Sequence, residues 1–171
     1  YIDQTFPMDG GRVIWRGSNG SGKSRALELL LPYLLDGDKA AMDSTNARKV
    51  SLDQLMNVCT RGSSNRIGIL WLELRRALPD GGTDYKTMGA HVRRSDAART
   101  LHVEHFITGL RVGHDLPLMD DATRQPLSAA NLKDIVGAER CTAKPGEHRA
   151  RVAREVFGLE GPRGQQRFDA L

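Results

Sequence analysis

Apolar and polar positions change rhythm several times along this chain, and each change predicts an element. In residues 24–35 the apolar side chains Ala26, Leu27, Leu29, Leu30, Leu31, Leu34 and Leu35 lie nearly all round a helical wheel, so a helix buried beneath a sheet is expected. Pro32 is too deep in that run for a first-turn proline and should kink or end the helix, and Asp36-Gly37-Asp38 closes it. Upstream, residues 1–6 and 12–16 are β-favouring runs flanking the turn signal Met8-Asp9-Gly10-Gly11, which predicts an antiparallel hairpin. Residues 39–49 read as a loop and residues 51–56 as a short capped helix.

The strongest strand signal is residues 66–74, containing Ile67-Gly68-Ile69-Leu70-Trp71-Leu72-Glu73-Leu74. The turn Pro79-Asp80-Gly81-Gly82 should return the chain along residues 83–93, with residues 101–110 as a third strand. Ser128 has the chemistry of a helix N-cap, and Gly137 should stop that helix after about Val136. Residues 147–157 predict a basic amphipathic helix and residues 158–167 a loop. No internal repeat or low-complexity stretch interrupts the pattern.

Between the first hairpin and the first helix lies the octapeptide Gly17-Ser18-Asn19-Gly20-Ser21-Gly22-Lys23-Ser24, which satisfies G-x-x-x-x-G-K-[ST] at every fixed position. Each residue type has a physical reason to be there. Glycines let successive backbone N–H groups face a β-phosphate, Lys23 reaches the β- and γ-oxygens, and Ser24 offers a hydroxyl to Mg²⁺. Strand, loop and helix follow in the required order, so the helix N-terminus points its free N–H groups at the phosphates. A ligand-free glycine-rich turn has no need of a lysine followed by a hydroxyl residue. The expected ligands are ATP and Mg²⁺, with Gly17, Ser18, Asn19, Gly20, Ser21, Gly22, Lys23, Ser24 and Arg25 on the nucleotide, Lys23 as the catalytic group and Ser24 as the metal ligand.

Composition narrows the picture only slightly. A chain of 171 residues suits a single domain spanning residues 1–171. Cys59 and Cys141 are distant and lack partners in metal-ligand spacing, so reduced thiols and a cytoplasmic location are expected. No apolar run approaches the roughly twenty residues that span a bilayer, and no signal peptide is expected. The strand-like start at Tyr1 suggests a piece of a longer protein. A net charge of +4 permits a nucleic-acid or membrane-surface partner without selecting one.

Residues 12–38, RVIWRGSNGSGKSRALELLLPYLLDGD, closely resemble the opening of SMC-like ATPases, in particular the large coiled-coil subunit of bacterial Wadjet anti-plasmid systems. The likeness continues through residues 67–74, then Phe106-Ile107-Thr108, Arg111-Val112-Gly113-His114-Asp115-Leu116, Arg124-Gln125-Pro126-Leu127-Ser128, Val156-Phe157-Gly158-Leu159 and Arg167-Phe168-Asp169-Ala170-Leu171. The phosphate loop is widely shared, so these later segments carry the resemblance. It implies an α/β P-loop NTPase fold: the N-terminal half of an ABC/SMC-type head, with a β-rich part and a buried helix after the phosphate loop. It further implies a separate C-terminal half-head bringing the acidic strand and signature motif, a second head sandwiching ATP, accessory subunits, and DNA as the moved substrate. No membrane partner is implied. The fragment alone should bind ATP with little turnover.

Several local features admit two readings. Glu73 ends an apolar strand and resembles a Mg²⁺-holding carboxylate, or is a surface charge on a core strand. Asp120 and Asp121 follow Pro117, which argues for an edge strand entering a turn. Leu127-Ser128-Ala129-Ala130-Asn131 lacks the glycines of an ABC signature and reads better as a capped helix start. His102 and His105 fall on opposite faces of a strand, which disfavours a metal site. Arg149, Arg151 and Arg154 suit either a solvated helix face or a DNA backbone. Gln165 and Gln166 lie near the place of a metal-sensing glutamine without matching it, and residues 140–148 depart from the family. A self-contained P-loop small-molecule kinase and a nucleotide-gated DNA-binding module are the alternative functions.

Overall fold

Both alternating sets of side chains in the 65–77 segment are apolar, Ile67, Ile69 and Trp71 in one and Leu70 and Leu72 in the other, so the strand offers apolar surface to both faces while staying half-buried. In the computed structural model, which describes residues 7, 34–37, 56, 65–95 and 100–170, this segment is strand β1 (Asn65–Ala77). It runs antiparallel to β2 (Thr83–Ser95) in a register from Asn65 opposite Ser95 to Ala77 opposite Thr83. β3 (Thr100–Thr108) lies on the far side of β2, and the short β4 (Cys141–Thr142) joins β3, giving a four-stranded antiparallel sheet in the order β1-β2-β3-β4. The β1–β2 hairpin closes where its turn residues indicate. Gly81 adopts φ +84°, the Leu78 amide donates to the Gly82 carbonyl at 2.9 Å, and Asp80 Oδ1 accepts from the Gly82 amide at 2.9 Å.

Pleating sorts the side chains into two cores. On one face Met88, Ala90, Val92 and Ile107 pack with Leu34, Val152, Ala153 and Phe168. On the other, Phe106 packs with Leu116, Leu118, Leu132 and Val136, flanked by Ile69 and Trp71. Gly89 sits directly opposite Phe106, and a Cβ there would lie 2.2 Å from Phe106 Cζ, so the missing side chain is the space the ring occupies.

Helices cover both faces. α1 (Ala129–Val136) begins as its cap residues indicate, with Ser128 Oγ accepting from the Asn131 amide at 3.2 Å, and ends at Gly137 with φ +94°. Lys133 ties it to β3 through Glu104 at 2.7 Å. α2 (Pro145–Arg151) starts earlier than the helical periodicity suggests, because Pro145 occupies the first turn, where its lost N–H costs nothing. It passes into a π-helical turn (Val152–Val156) that buries Val152 and Ala153.

Residues 158–167, expected as a loop, are largely helical in α3 (Gly161–Asp169). Glycines gave the loop signal, yet Gly164 approaches so close that a Cβ would lie 2.7 Å from the Leu159 carbonyl carbon, and Phe168 is only 4% exposed. Tertiary packing has overridden weak helix propensity there.

The hairpin of residues 1–6 and 12–16, the loop 39–49, residues 24–33 of the first helix with Pro32, and residues 51–55 lie outside the described residues. So do the elements on which the P-loop fold class rests. Residues 34–36 are helical, and Leu34, fully buried, packs with Met88, Ala90, Val92 and Ile107 of the sheet. Among the described residues, no helix is long and apolar enough to cross a membrane.

Candidate functional site

All the phosphate-loop residues, Gly17, Ser18, Asn19, Gly20, Ser21, Gly22, Lys23, Ser24 and Arg25, lie outside the described residues, as does Cys59. The described stretch that follows them is the corner at residues 34–37, and the chain builds an unusual seat for it. Gly37 takes φ +67°, ending the helical turn in the left-handed region that glycine tolerates. The Leu34 carbonyl accepts a hydrogen bond from His148 Nε2 at 2.5 Å. The Asp36 carboxylate pairs with the Arg149 guanidinium. Arg149 also lies over the Phe168 ring, 4.9 Å from its centre, and donates to the Phe168 carbonyl at 3.5 Å, so one cation joins the corner, α2 and α3.

Behind His148 stands His105 of β3, the two rings stacked with centres 4.3 Å apart and planes 27° from parallel. Burial disfavours the charged form of each. It pushes His105 down to about 3, with the neighbouring His148 adding to the effect. Burial likewise lowers His148, opposed by its bond to the Leu34 carbonyl and assisted by Arg151. His91 is lowered by burial too, and its Nε2 lies 3.0 Å from the Leu127 carbonyl, pinning the entry to α1.

The tempting carboxylates are engaged structurally. Glu73 Oε2 accepts from the Val112 amide at 3.0 Å, and its other oxygen lies 3.8 Å from Arg111 Nε. Arg111 in turn stacks on Tyr85 at 4.0 Å. Glu73 therefore anchors the 111–116 turn, whose Leu116 is fully buried, and the surface-charge and metal-ligand readings both give way to this contact. Glu73→Ala is expected to lower stability by about 1–2 kcal/mol, since it strands a half-buried amide and an arginine; urea denaturation measures it.

Asp120 Oδ1 accepts from the Thr123 amide at 2.7 Å and hydroxyl at 2.8 Å, which hold its carboxyl below the usual range. The backbone bridge between Met119 and Pro126 makes this a strand end entering a turn, as Pro117 indicates. His102 is exposed beside Thr100, on the face opposite His105, and among the described residues no cluster of three or more His, Cys, Asp and Glu gathers as a metal requires. Burial raises the Cys141 thiol to about 11, so it stays protonated at neutral pH.

Of the three arginines read as a solvated or DNA-facing row, Arg149 turns inward and Arg151 is half-buried, while Arg154 is exposed and paired with Glu155 at 2.9 Å. Gln165 and Gln166 both fall in α3, with Gln166 exposed. Sequence reasoning missed His148 altogether and gave Arg149 only a solvated or DNA-facing role; their contacts with residues 34 and 36 span 114 and 113 positions. No local pattern encodes such pairs.

No family model matches the chain, and neither a curated protein nor a solved structure matches it.

Proposed function

We propose that the chain binds ATP through residues 17–24 and forms the N-terminal half of the head of an SMC-like ATPase. The observation that carries this reading is the octapeptide Gly17-Ser18-Asn19-Gly20-Ser21-Gly22-Lys23-Ser24, complete at every fixed position and followed at once by a helix-forming run. The donor set suits the ligand. Main-chain amides of a glycine-rich turn can bind a polyphosphate, Lys23 would orient its β- and γ-oxygens, and Arg25 would lie beside the same anion. Ser24 would hold Mg²⁺, which supplies charge neutralisation between those oxygens.

Positioning and charge stabilisation provide most of the catalysis in phosphoryl transfer. The acidic residue that orients water is then contributed by a C-terminal half-head, and a second head completes the sandwich. On this reading hydrolysis drives DNA movement in a cytoplasmic complex with accessory subunits, for plasmid defence or chromosome organisation. In keeping with such a division of labour, Glu73 of β1 is bound to the Val112 amide and Asp120 is held within its own turn.

Binding of a fluorescent ATP analogue to the intact chain, with and without Mg²⁺, tests the reading. Saturable, Mg²⁺-assisted binding is expected, with far less than one turnover per second. Absence of binding overturns it, multiple turnovers per second refute the divided site, and phosphate transfer to a nucleoside or sugar replaces it with a kinase.

A further inference from the structure

The corner at residues 34–37 begins ten positions past Ser24 and is gripped from two adjacent positions of α2. Helix ends leave carbonyls without intrahelical partners, and the His148 N–H satisfies the one at Leu34. An aspartate near a helix C-terminus meets the negative end of the dipole, and the Arg149 guanidinium offsets both. Gly37 completes the fit, since a Cβ there would stand 3.0 Å from His148 Cδ2 and 3.5 Å from His105 Cε1. The seat is thus shaped around an imidazole.

We propose that His148, backed by His105, and Arg149 are positioning residues that latch the corner at residues 34–37 onto α2 and β3, and thereby set the segment that follows the phosphate-loop sequence for nucleotide binding. The last step rests on the ATP reading above; the latch itself does not.

Protonation opens the latch. A carbonyl only accepts, so His148 Nε2 carries the proton of the neutral ring, and its Nδ1 is buried without a hydrogen-bond partner among the described residues. A second proton on Nδ1 would place a cation against the His105 ring and toward Arg151. Among the described residues, the charged groups on the elements packed here include Asp36 at the corner, Lys144 and Glu147 at the start of α2, Arg149 beside His148, Arg154 and Glu155 in the π-turn, Arg163 and Arg167 in α3, and Asp84, Lys86 and Arg94 on the face of β2 that carries Ala90. Asp36 is paired with Arg149 and Glu147 with Lys144, so the acids near the seat already have cations. Both histidines lie below their ordinary 6.5 in the closed form, so the latch is complete above about pH 6.5. As pH falls below that value, each histidine shifts the balance toward the open form, by up to about tenfold per pH unit.

Two measurements on the intact protein test this. Histidine-ring and backbone NMR between pH 8 and 5, without nucleotide, should show His148 as the neutral Nε2–H tautomer at pH 6.5, with signals of residues 34–37 moving only as it titrates. Mg·ATP affinity should fall about tenfold or more from pH 7.5 to 5.5. His148→Gln, which keeps an N–H donor without titrating there, should bind within about threefold of the parent at pH 7.5 and flatten that profile. His148→Leu should bind more weakly at both pH values. Protonation of the nucleotide is common to all variants and cancels between them.

The proposal is overturned if His148 is half-protonated at pH 6.5 in the folded protein, or if the glutamine variant keeps the parental pH profile. Should no variant bind Mg·ATP at any pH, the ATP reading and the nucleotide step fall together, and the NMR titration alone decides whether the latch stands.

Discussion

Lys23→Ala is expected to weaken Mg·ATP binding at least about 100-fold while leaving the unfolding temperature of the nucleotide-free protein unchanged. An ammonium closing on phosphate oxygens inside a ring of main-chain amides is a charge-assisted contact in a poorly hydrated site. Truncating one partner of such a pair costs about 2–5 kcal/mol, which brackets a loss of two orders of magnitude. Nothing comparable is lost without ligand, because a loop lysine free of anion is solvated. Ligand-linked stabilisation separates the two effects. At 100 times its dissociation constant a ligand adds about 2.7 kcal/mol, and a variant binding 100-fold more weakly gains about 0.4 kcal/mol at the same concentration. Thermal melts with and without millimolar Mg·ATP should therefore show a rise for the parent and almost none for the variant. Lys23→Arg should not restore it, since a planar fork replaces a compact point charge. An undiminished rise in Lys23→Ala would remove the octapeptide from the binding site.

Gly89→Ala should be among the most damaging single-methyl additions in the sheet. The added carbon would lie 2.2 Å from Phe106 Cζ, 2.5 Å from its Cε1 and 2.8 Å from the Leu70 carbonyl oxygen. The ring is only 1% exposed and packed by Leu116, Leu118, Leu132 and Val136, so it has nowhere to swing, and the carbonyl belongs to the paired strand. Relief requires moving β1, β2 or the second core. A cost of about 3 kcal/mol or more follows, at the upper end of overpacking effects and a large part of the stability of an ordinary domain. For a chain of this size that corresponds to a fall of roughly 6–12 °C in midpoint. Adding Phe106→Leu should recover part of the loss, because the smaller side chain vacates the contested space. If Gly89→Ala melts with the parent, the close approach of ring and backbone is wrong.

What the sequence made legible is what neighbouring residues decide. The β1–β2 hairpin was readable because Pro79-Asp80-Gly81-Gly82 fixes a turn between two apolar runs, and α1 because Ser128 and Gly137 supply its own caps. α3 was not, since its glycines lower intrinsic propensity and its support comes from Phe168 and Leu159 in the folded core. The same distinction separates the candidate chemistry. The phosphate-loop pattern is contiguous and can be read by eye, and its residues lie outside the described part of the chain. The anchoring of Asp36 by Arg149, by contrast, depends on folding, and the basic face that suggested DNA contact gave no sign that one of its arginines turns inward. Glu73 shows the opposite error, a carboxylate at a suggestive strand end whose oxygens are held by the Val112 amide and Arg111.

The spacing of these contacts orders events during synthesis. β1, β2 and β3 are successive hairpins, so that meander can zip as soon as Thr108 has left the ribosome. Residues 34–36 emerge earlier, yet the partners that seat them, His148 and Arg149, arrive more than a hundred codons later. A nascent chain stalled after Thr108 and before His148 carries the β1-β2-β3 meander while Leu34 still lacks Val152, Ala153 and Phe168, the cover from the other side of its core, a stretch for chaperones to shield until translation resumes.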